Sequence, residues 1–394
     1  MSDSAATSST SADSSSTTAS ATPAAAGSVL NTADLFTDRD MQQTADTANA
    51  KSITVTDGEN VSITEEGVYV VSGTAKNCSI VVEAEDSAKV QLVLDNASIT
   101  NESAPAIYVK SADKVFVTTA TGSTNTLNVT GTFASSGDDN VDGVIFSKDD
   151  LVLNGQGTLV VKSSANGIVG KDDVKVTGGT YTIEASEHGI QGKDSVAIAD
   201  GTFDITASTD AIHSKNSDDQ TLGYVYIAGG TFNLKAGSDG VGGTSAVQIN
   251  GGTLNIDSAE GIEGTYVQIN DGTIAIQATD DGINATSKST AYDVTLEING
   301  GKVTVNMGSG DTDALDSNGS LFINGGAVDI TAQSAFDYDG QGALNGGTVT
   351  LNGEQVTEMT NSMMGRGGGG GGMGGSQGGH GSMGGPRGQR GDWQ

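Results

Sequence analysis

A short unit recurs along this chain at a nearly fixed interval, and that interval limits the folds open to it. Its fullest copy is NDGTIAIQATDDGIN, Asn270 to Asn284: an Asp-Gly turn, an alternating strand from Thr273 to Ile276, then Asp280, Asp281, Gly282 and Ile283. The glycine before the strand falls at Gly157, Gly179, Gly201, Gly230, Gly252, Gly272, Gly301, Gly326 and Gly347, at spacings of 22, 22, 29, 22, 20, 29, 25 and 21. A base period of 20–22 with occasional insertions is the mark of a solenoid. The runs between the glycines are short, alternating and rich in Val, Ile and Thr, as in VKVT (174–177), TFNL (231–234) and VQIN (247–250), so each unit supplies strands. Stacked hairpins would repeat per pair of strands with two-residue turns; here the pattern repeats per unit. One coil per unit, with equivalent residues about 4.8 Å apart, is a parallel β-helix. The expected fold is all-β: a single-stranded parallel β-helix of about 20–22 residues per coil, right-handed by the general preference of parallel crossovers.

The period also divides the chain. Residues 1–28 are a Ser/Thr/Ala tract, too poor in apolar residues to offset the entropy of folding, and read as a flexible tether. Such a tract, with no signal peptide before it, suggests that an export signal has been removed. It resembles the spacer behind the lipid-modified cysteine of bacterial surface lipoproteins, which places the protein outside the cell, at its surface, with an N-terminal lipid anchor as its one membrane contact. Residues 29–50 read as a polar N-terminal cap, with Asp34 or Asp38 capping a helical turn. Residues 51–357 are the coils, and 358–394 a disordered Gly/Met-rich tail. Two polar insertions, Asn216–Leu222 and Ala285–Ala291, should bulge as loops. The lone cysteine, Cys78, excludes an intramolecular disulfide and reads as a small core residue. Nothing in the sequence demands a partner subunit, and a monomer is expected.

A second mark follows each strand: Asn166, His188, Asp210, Asp239, Glu260, Asp281, Asp313 and Ser334, each followed by Gly or Ala and then a large apolar residue. The position before the small residue points outward and is acidic in five successive coils. Three residues on runs a second polar column: His213, Glu263, Asn284, Asp316 and Asp337, with further acids at Asp280, Asp311 and Asp339. Carboxylates stacked at the spacing of adjacent strands repel by about 1 kcal/mol even in water. Protonation or a cation between coils relieves this. Ca2+ takes six to eight oxygens, and the string DTDALDSNG, Asp311 to Gly319, offers hard oxygen ligands in a tight turn. Asp239, Glu260, Glu263, Asp280, Asp281, Asn284, Asp311, Asp313, Asp316 and Asp337 are the candidate Ca2+ ligands; a solvated acidic face is the plainer alternative. Soft metals are not expected, because none of His188, His213 and His380 pairs with another at ligand spacing.

The first half of the body carries a lysine column, Lys110, Lys148, Lys171, Lys193 and Lys215, each close to an acid in sequence. It reads either as exposed Lys–Asp turns worth little each or as a cationic stripe for an acidic polymer. With 49 acidic against 18 basic residues and a net charge of −31, nucleic acid and anionic membrane are poor partners and cations good ones.

The Gly-Gly-Thr and Asp-Gly-Ile repeats, the strings FDYDGQGALNGGTV (336–349) and IFSKDDLVLNG (145–155), and the Gly/Met tail resemble a bacterial family of surface β-helix proteins described as a carbohydrate-binding domain, over roughly residues 35–357. The resemblance implies a fold similar to pectate lyases, bound calcium, and binding of plant cell-wall cellulose and polygalacturonate without established catalysis. The residues bear on this separately. Pectate-lyase β-elimination needs a base, usually Arg and sometimes Lys, beside Ca2+; the repeats contain no Arg, since Arg39 precedes them, and only a column lysine could serve. The paired acids, histidine and basic clamp of a polygalacturonase are incomplete as well. No catalytic residue is assigned; lyase activity and a structural or adhesive stalk are the alternatives. Aromatics are 4% of the chain and the body lacks Trp, so flat stacking platforms for neutral glucan are scarce. The expected ligand is acidic plant polysaccharide before cellulose, held by Lys148, Lys171, Lys193, Lys215 and Tyr266, with Ca2+ as bridge.

Overall fold

The fold was obtained as a computed structural model, which describes residues 27–134, 140–309 and 313–361. The tract through residue 26 and the Gly/Met tail from residue 362 lie outside the described residues. The regular structure is a stack of parallel β coils with three strands each. One coil runs Asp173–Val176, Thr180–Ala185 and Ile190–Gly192, and the next begins with Ser195–Ile198 paired back on Asp173–Val176. Repetition of this step builds three flat faces, called first, second and third in chain order. The described pairing departs from parallel at the last turn, where Thr348–Leu351 pairs antiparallel with Glu354–Val356 and blunts that end, and at an isolated Thr56–Glu59 bridge.

Alternation along each strand sends every second residue inward, and the register stacks like on like. The first face contributes Leu151, Val174, Val196, Val225, Val247, Val267, Leu296 and Leu321, all fully buried. The second face contributes an aromatic stack. Tyr181 lies 5.2 Å from Phe203 at 13°, and Phe203 lies 4.6 Å from Phe232 at 3°. The third contributes Ile168, Ile190, Ile212, Val241, Ile262, Ile283, Leu315 and Phe336. Cys78 is buried in the same core.

The corner between first and second faces explains the glycine mark. Eight of the nine marked glycines, from Gly179 to Gly347, have positive φ; in the coil of Gly157 the neighbouring Gly155 takes that conformation instead. Just ahead of them an asparagine ladder climbs the corner. Asn270 Nδ2 donates to Asn250 Oδ1, Asn299 to Asn270 and Asn324 to Asn299, all at 2.8 Å, and Asn345 to Asn324 at 2.7 Å.

The faces differ in what covers them. The second is open to solvent, with alternating exposed and buried positions along Thr202–Ala207. The first is covered by residues 27–45. These form no helix and are not laid over the end of the solenoid, where a cap was expected; they run along its side. Leu30 N donates to Gln248 Oε1 at 2.9 Å and Val29 N to Gln268 Oε1 at 3.1 Å. Further on, Gln43 Nε2 donates to Thr177 O at 2.9 Å, and Gln43 Oε1 accepts from Gly155 N at 3.0 Å. The reason is apolar: Ala197, Tyr226 and Ala246 point outward from the first face, and Val29, Leu30, Leu35 and Phe36 cover them. Asp40, and not Asp34 or Asp38, fixes the turn. It is buried, accepts from Thr37 N at 2.9 Å and pairs with Lys114 at 3.4 Å. Both insertions leave the corner between third and first faces and meet there: Thr290 N donates to Gln220 Oε1 at 3.1 Å.

Loss of the ring that ends this stack should be costly. Phe232→Ala leaves a cavity in the aromatic stack and is expected to destabilise the body by about 3–5 kcal/mol, read as a lowered denaturation midpoint. A change below about 1 kcal/mol would show that neighbouring coils collapse into the space.

Candidate functional site: a polar ladder on the third face

The third-face strands are short, and the register decides what their outward residues meet. Pairing places His213 beside Gly242, Gly242 beside Glu263, Glu263 beside Asn284, Asn284 beside Asp316 and Asp316 beside Asp337. A second series lies at the strand starts, where Asp239 pairs with Glu260 and Asp313 with Ser334. Backbone bonds from Gly189 to Asp210, Ala211 to Asp239, Gly261 to Asp281 and Gly282 to Asp313, each 3.0 Å, continue that series. The two columns therefore run side by side up one face.

Carboxylate oxygens of Asp239, Glu260 and Glu263 lie within 4.8 Å of one another, and Asp239 and Glu263 are buried. Lys288, from the second insertion, forms a close ion pair with Glu263. Asn284 Nδ2 donates to Glu260 Oε2 at 3.1 Å, while its Oδ1 is buried without a partner. One coil on, Asp281 Oδ1 accepts from Asp313 N at 3.2 Å, and Ser334 Oγ donates to Asp313. The described ion pairs supply no cation to Asp281, Asp313, Asp316 or Asp337. Asp280 is exposed at the rim, and Asp311 lies outside the described residues.

Crowding moves these acids. Burial pushes Glu260 up to about 7, with Asp239 and Asp281 adding to the rise against the Asn284 hydrogen bond. Burial raises Asp281 to about 6, helped by Asp280, Asp313 and Asp337. Burial and the charges of Asp281, Asp337 and Asp313 lift Asp316 to about 7. Asp239 and Asp337 are raised too, chiefly by burial. The donors are hard oxygens from carboxylates and one amide, the set that Ca2+ takes. The orphaned Asn284 Oδ1 beside them fits a cation.

The lysine column stands at the corner between third and first faces. Lys148, Lys171, Lys193 and Lys215 each bond through backbone N to the preceding coil, at 3.1, 2.8, 2.9 and 3.2 Å. Two of them have side-chain partners other than the acids adjacent in sequence. Lys193 pairs with Asp218 at 2.7 Å. Lys171 lies over the Phe146 ring, 5.2 Å from its centre, because Tyr108, Phe146 and Val169 form an apolar patch on the outside of the third face. Tyr266 begins the first-face part of the strand Glu260–Ile269, two coils beyond Lys215. It packs in the cluster that contains Leu30 and Tyr226, and its Oη donates to Glu297 at 3.0 Å. Tyr266 thus belongs to the covered face, apart from the lysines.

The expectation that no two histidines meet is corrected by the fold. His188 and His213 stack at 4.5 Å and 16°, with Asp210 between them. They are 25 residues apart, but a coil returns after 22, which sets His188 above Asp210, and His213 follows three residues later on the same strand face. Asp210 is buried, which opposes its charge; its contacts with His188 and His213 outweigh this and hold its carboxyl below the usual range. Lys288 was also missed, since nothing in the loop's composition marks where its side chain turns.

The family described as carbohydrate-binding domain-containing protein matches residues 57–314 and 260–367, which include every described coil of this face. The chain belongs to that family. A curated family relative, the carbohydrate-binding domain-containing protein of Acetivibrio thermocellus, is 36% identical over 134 residues, 33% of this chain and 46% of the relative. The match spans about half the length of that relative. A solved structure titled as the polysaccharide lyase-like protein from C. thermocellum, gadolinium derivative, aligns at 25% identity over 76% of this chain and 96% of that one, with a TM-score of 0.44.

Raised acids make stability depend on pH. Between the unfolded carboxyl value of about 4 and about 7 the folded chain binds more protons at Glu260 and Asp316 than the unfolded chain does, so stability falls as pH rises through that window. In chelator, Tm should decline from pH 5 to pH 8, and Glu260→Gln with Asp316→Asn should flatten the decline. An equal slope in both proteins would show that these acids titrate normally.

Proposed function

We propose that the third face binds an acidic polysaccharide through Ca2+ held on the acid ladder. The observation that carries this is the stacking of Asp281, Asp313, Asp316 and Asp337 in successive coils, without a cationic partner among the described ion pairs and beside the orphaned Asn284 oxygen. These residues, with Glu260, would hold the ion. Bound there, Ca2+ supplies positive charge to a face that otherwise repels an anionic chain. Its preference for six to eight oxygens leaves room for a sugar carboxylate among its ligands. Lys148, Lys171 and Lys193, one per coil, give the adjoining corner a row of positive charges at the regular spacing a repeating uronate polymer can follow. Polygalacturonate of plant cell walls is the ligand of this description.

Two arrangements favour acidic sugar over cellulose. Tyr226 is buried and Tyr224, Tyr266 and Tyr292 are partly buried in the cluster with Leu30, Leu35 and Phe36, which leaves them poorly placed as flat platforms. The charged face is the one that keeps outward polar groups in register. Binding without catalysis agrees with the placement of Arg39. It is the one arginine among the described residues, and it lies over Phe116, away from the ladder.

Calorimetry tests the reading. Ca2+ should bind the full chain and be lost in Asp281→Asn with Asp316→Asn. Oligogalacturonate should then bind in Ca2+ but not in chelator, and Lys148→Ala/Lys171→Ala/Lys193→Ala should weaken it at least about tenfold, or 1.4 kcal/mol. Sugar binding that survives both chelator and the triple variant would overturn the proposal. Appearance of an unsaturated sugar product would make the protein a lyase.

A further inference from the structure

His188, Asp210 and His213 form a separate cluster at the head of the acid ladder. Their ligand atoms lie within 4.8 Å of one another. Asp210 Oδ2 is 3.2 Å from His188 Nδ1 and 2.6 Å from His213 Nδ1. Two features set this apart from a settled ion pair. The backbone N–H of Asp210 donates to His188 Nδ1 at 3.4 Å, so that nitrogen presents a lone pair. His213 Nδ1 is buried without a hydrogen-bond partner, although the carboxylate oxygen is so near. Two imidazole nitrogens and one carboxylate oxygen converge with no proton well aligned between them. A cation at their centre satisfies all three.

We propose that His188, Asp210 and His213 bind a divalent transition ion of the Zn2+ class. Imidazole nitrogen selects Zn2+, Ni2+ or Cu2+, whereas Ca2+ takes oxygen. Zn2+ in a tetrahedral site, with bonds of about 2.0–2.1 Å, sets its ligand atoms roughly 3.3 Å apart. The His188–Asp210 edge is already close to that; His213 needs to retreat by under about 1 Å and to turn out of its near-parallel stack on His188, because a metal lies in the plane of each imidazole that binds it. The Asp210 carboxylate is held in a ligating orientation, because Asp239 N donates to its Oδ1 at 3.0 Å and leaves Oδ2 for the metal. Thr209 Oγ1, 3.0 Å from His188 Nδ1, is the group the ion displaces. Space for a fourth ligand comes from Gly242, the register neighbour of His213. A Cβ at that glycine would stand 2.9 Å from Asp239 Oδ2 and 3.5 Å from His213 Nδ1. The notch it leaves admits a water or the Asp239 carboxylate.

The site is independent of the carbohydrate reading, and the experiment keeps the two apart. The full chain, saturated with Ca2+, is titrated with Zn2+ in a calorimeter. One step with a Kd of about 1 μM or lower is expected. It should weaken more than about a hundredfold in His188→Gln/His213→Gln. It should persist in His380→Gln and in Asp281→Asn/Asp316→Asn, the pair that tests the Ca2+ ladder. No Zn2+ step in the unmodified chain, or an unchanged one in the histidine double variant, overturns the proposal. Should that variant fail to fold, Ni2+ is added to the unmodified chain and the imidazole NMR signals are followed. Broadening of His188 and His213 ahead of His380 supports the site, and broadening of His380 alone rejects it.

Discussion

The backbone ladder that joins each coil to the next holds equivalent residues about 4.8 Å apart, and that single distance governs both sides of the wall. Inside, it is the spacing at which apolar side chains pack, so Val stacks on Val and Phe203 lies flat on Phe232. Outside, the same spacing brings like charges together. A fold of this kind cannot scatter a repeated acid over its surface: whatever stands at one phase of the unit becomes a column.

The chain manages its columns in different ways. At one corner the repeated residue is asparagine, which donates to the copy below and accepts from the copy above, so the column satisfies itself. On the first face many outward residues are apolar or amide, among them Ala197, Tyr226, Gln248 and Gln268, and the segment from residue 27 to 45 covers them with its own side chains and backbone donors. On the second face the outward residues are left to water. The third face stacks carboxylates that neither pair with one another nor meet enough cations among the described residues, and the rise of Glu260, Asp281 and Asp316 toward neutrality expresses that cost; a shorter stack at the neighbouring corner lifts Asp172 in the same way. A strained column persists where something outside the chain relieves it, which is the physical reason to place function there.

The third face also changes along its length. Its early coils carry a small buried apolar cluster flanked by lysine, its middle holds the two histidines and Asp210, and its late coils hold the acids. Under the proposed function and the proposed histidine site, such a gradient gives a long polymer one register along the face and two classes of cation two different homes. The boundary falls at Gly242, where the outward column is interrupted between His213 and Glu263.

Periodicity made the coils, the inward columns and the neighbourhood of Asp239, Glu260, Glu263, Asn284, Asp316 and Asp337 legible in the amino-acid sequence, because in a solenoid a constant interval along the chain is a constant position in space. What has no period could not be read that way. Residues 27–50 repeat nothing, so their course along the first face, and the covering of Tyr266 beneath it, depended on which outward surface was most apolar once the coils had formed. Lys288 reaches Glu263 from a loop whose direction no pattern encodes. The meeting of His188 with His213 is diagonal, one coil plus three residues, and escapes a search that compares equal phases. The sequence by itself determined the coil, its period and which residues share a column; the tertiary structure alone decided which columns are covered and which side chains cross between them, since those contacts depend on lateral packing that the repeat does not carry.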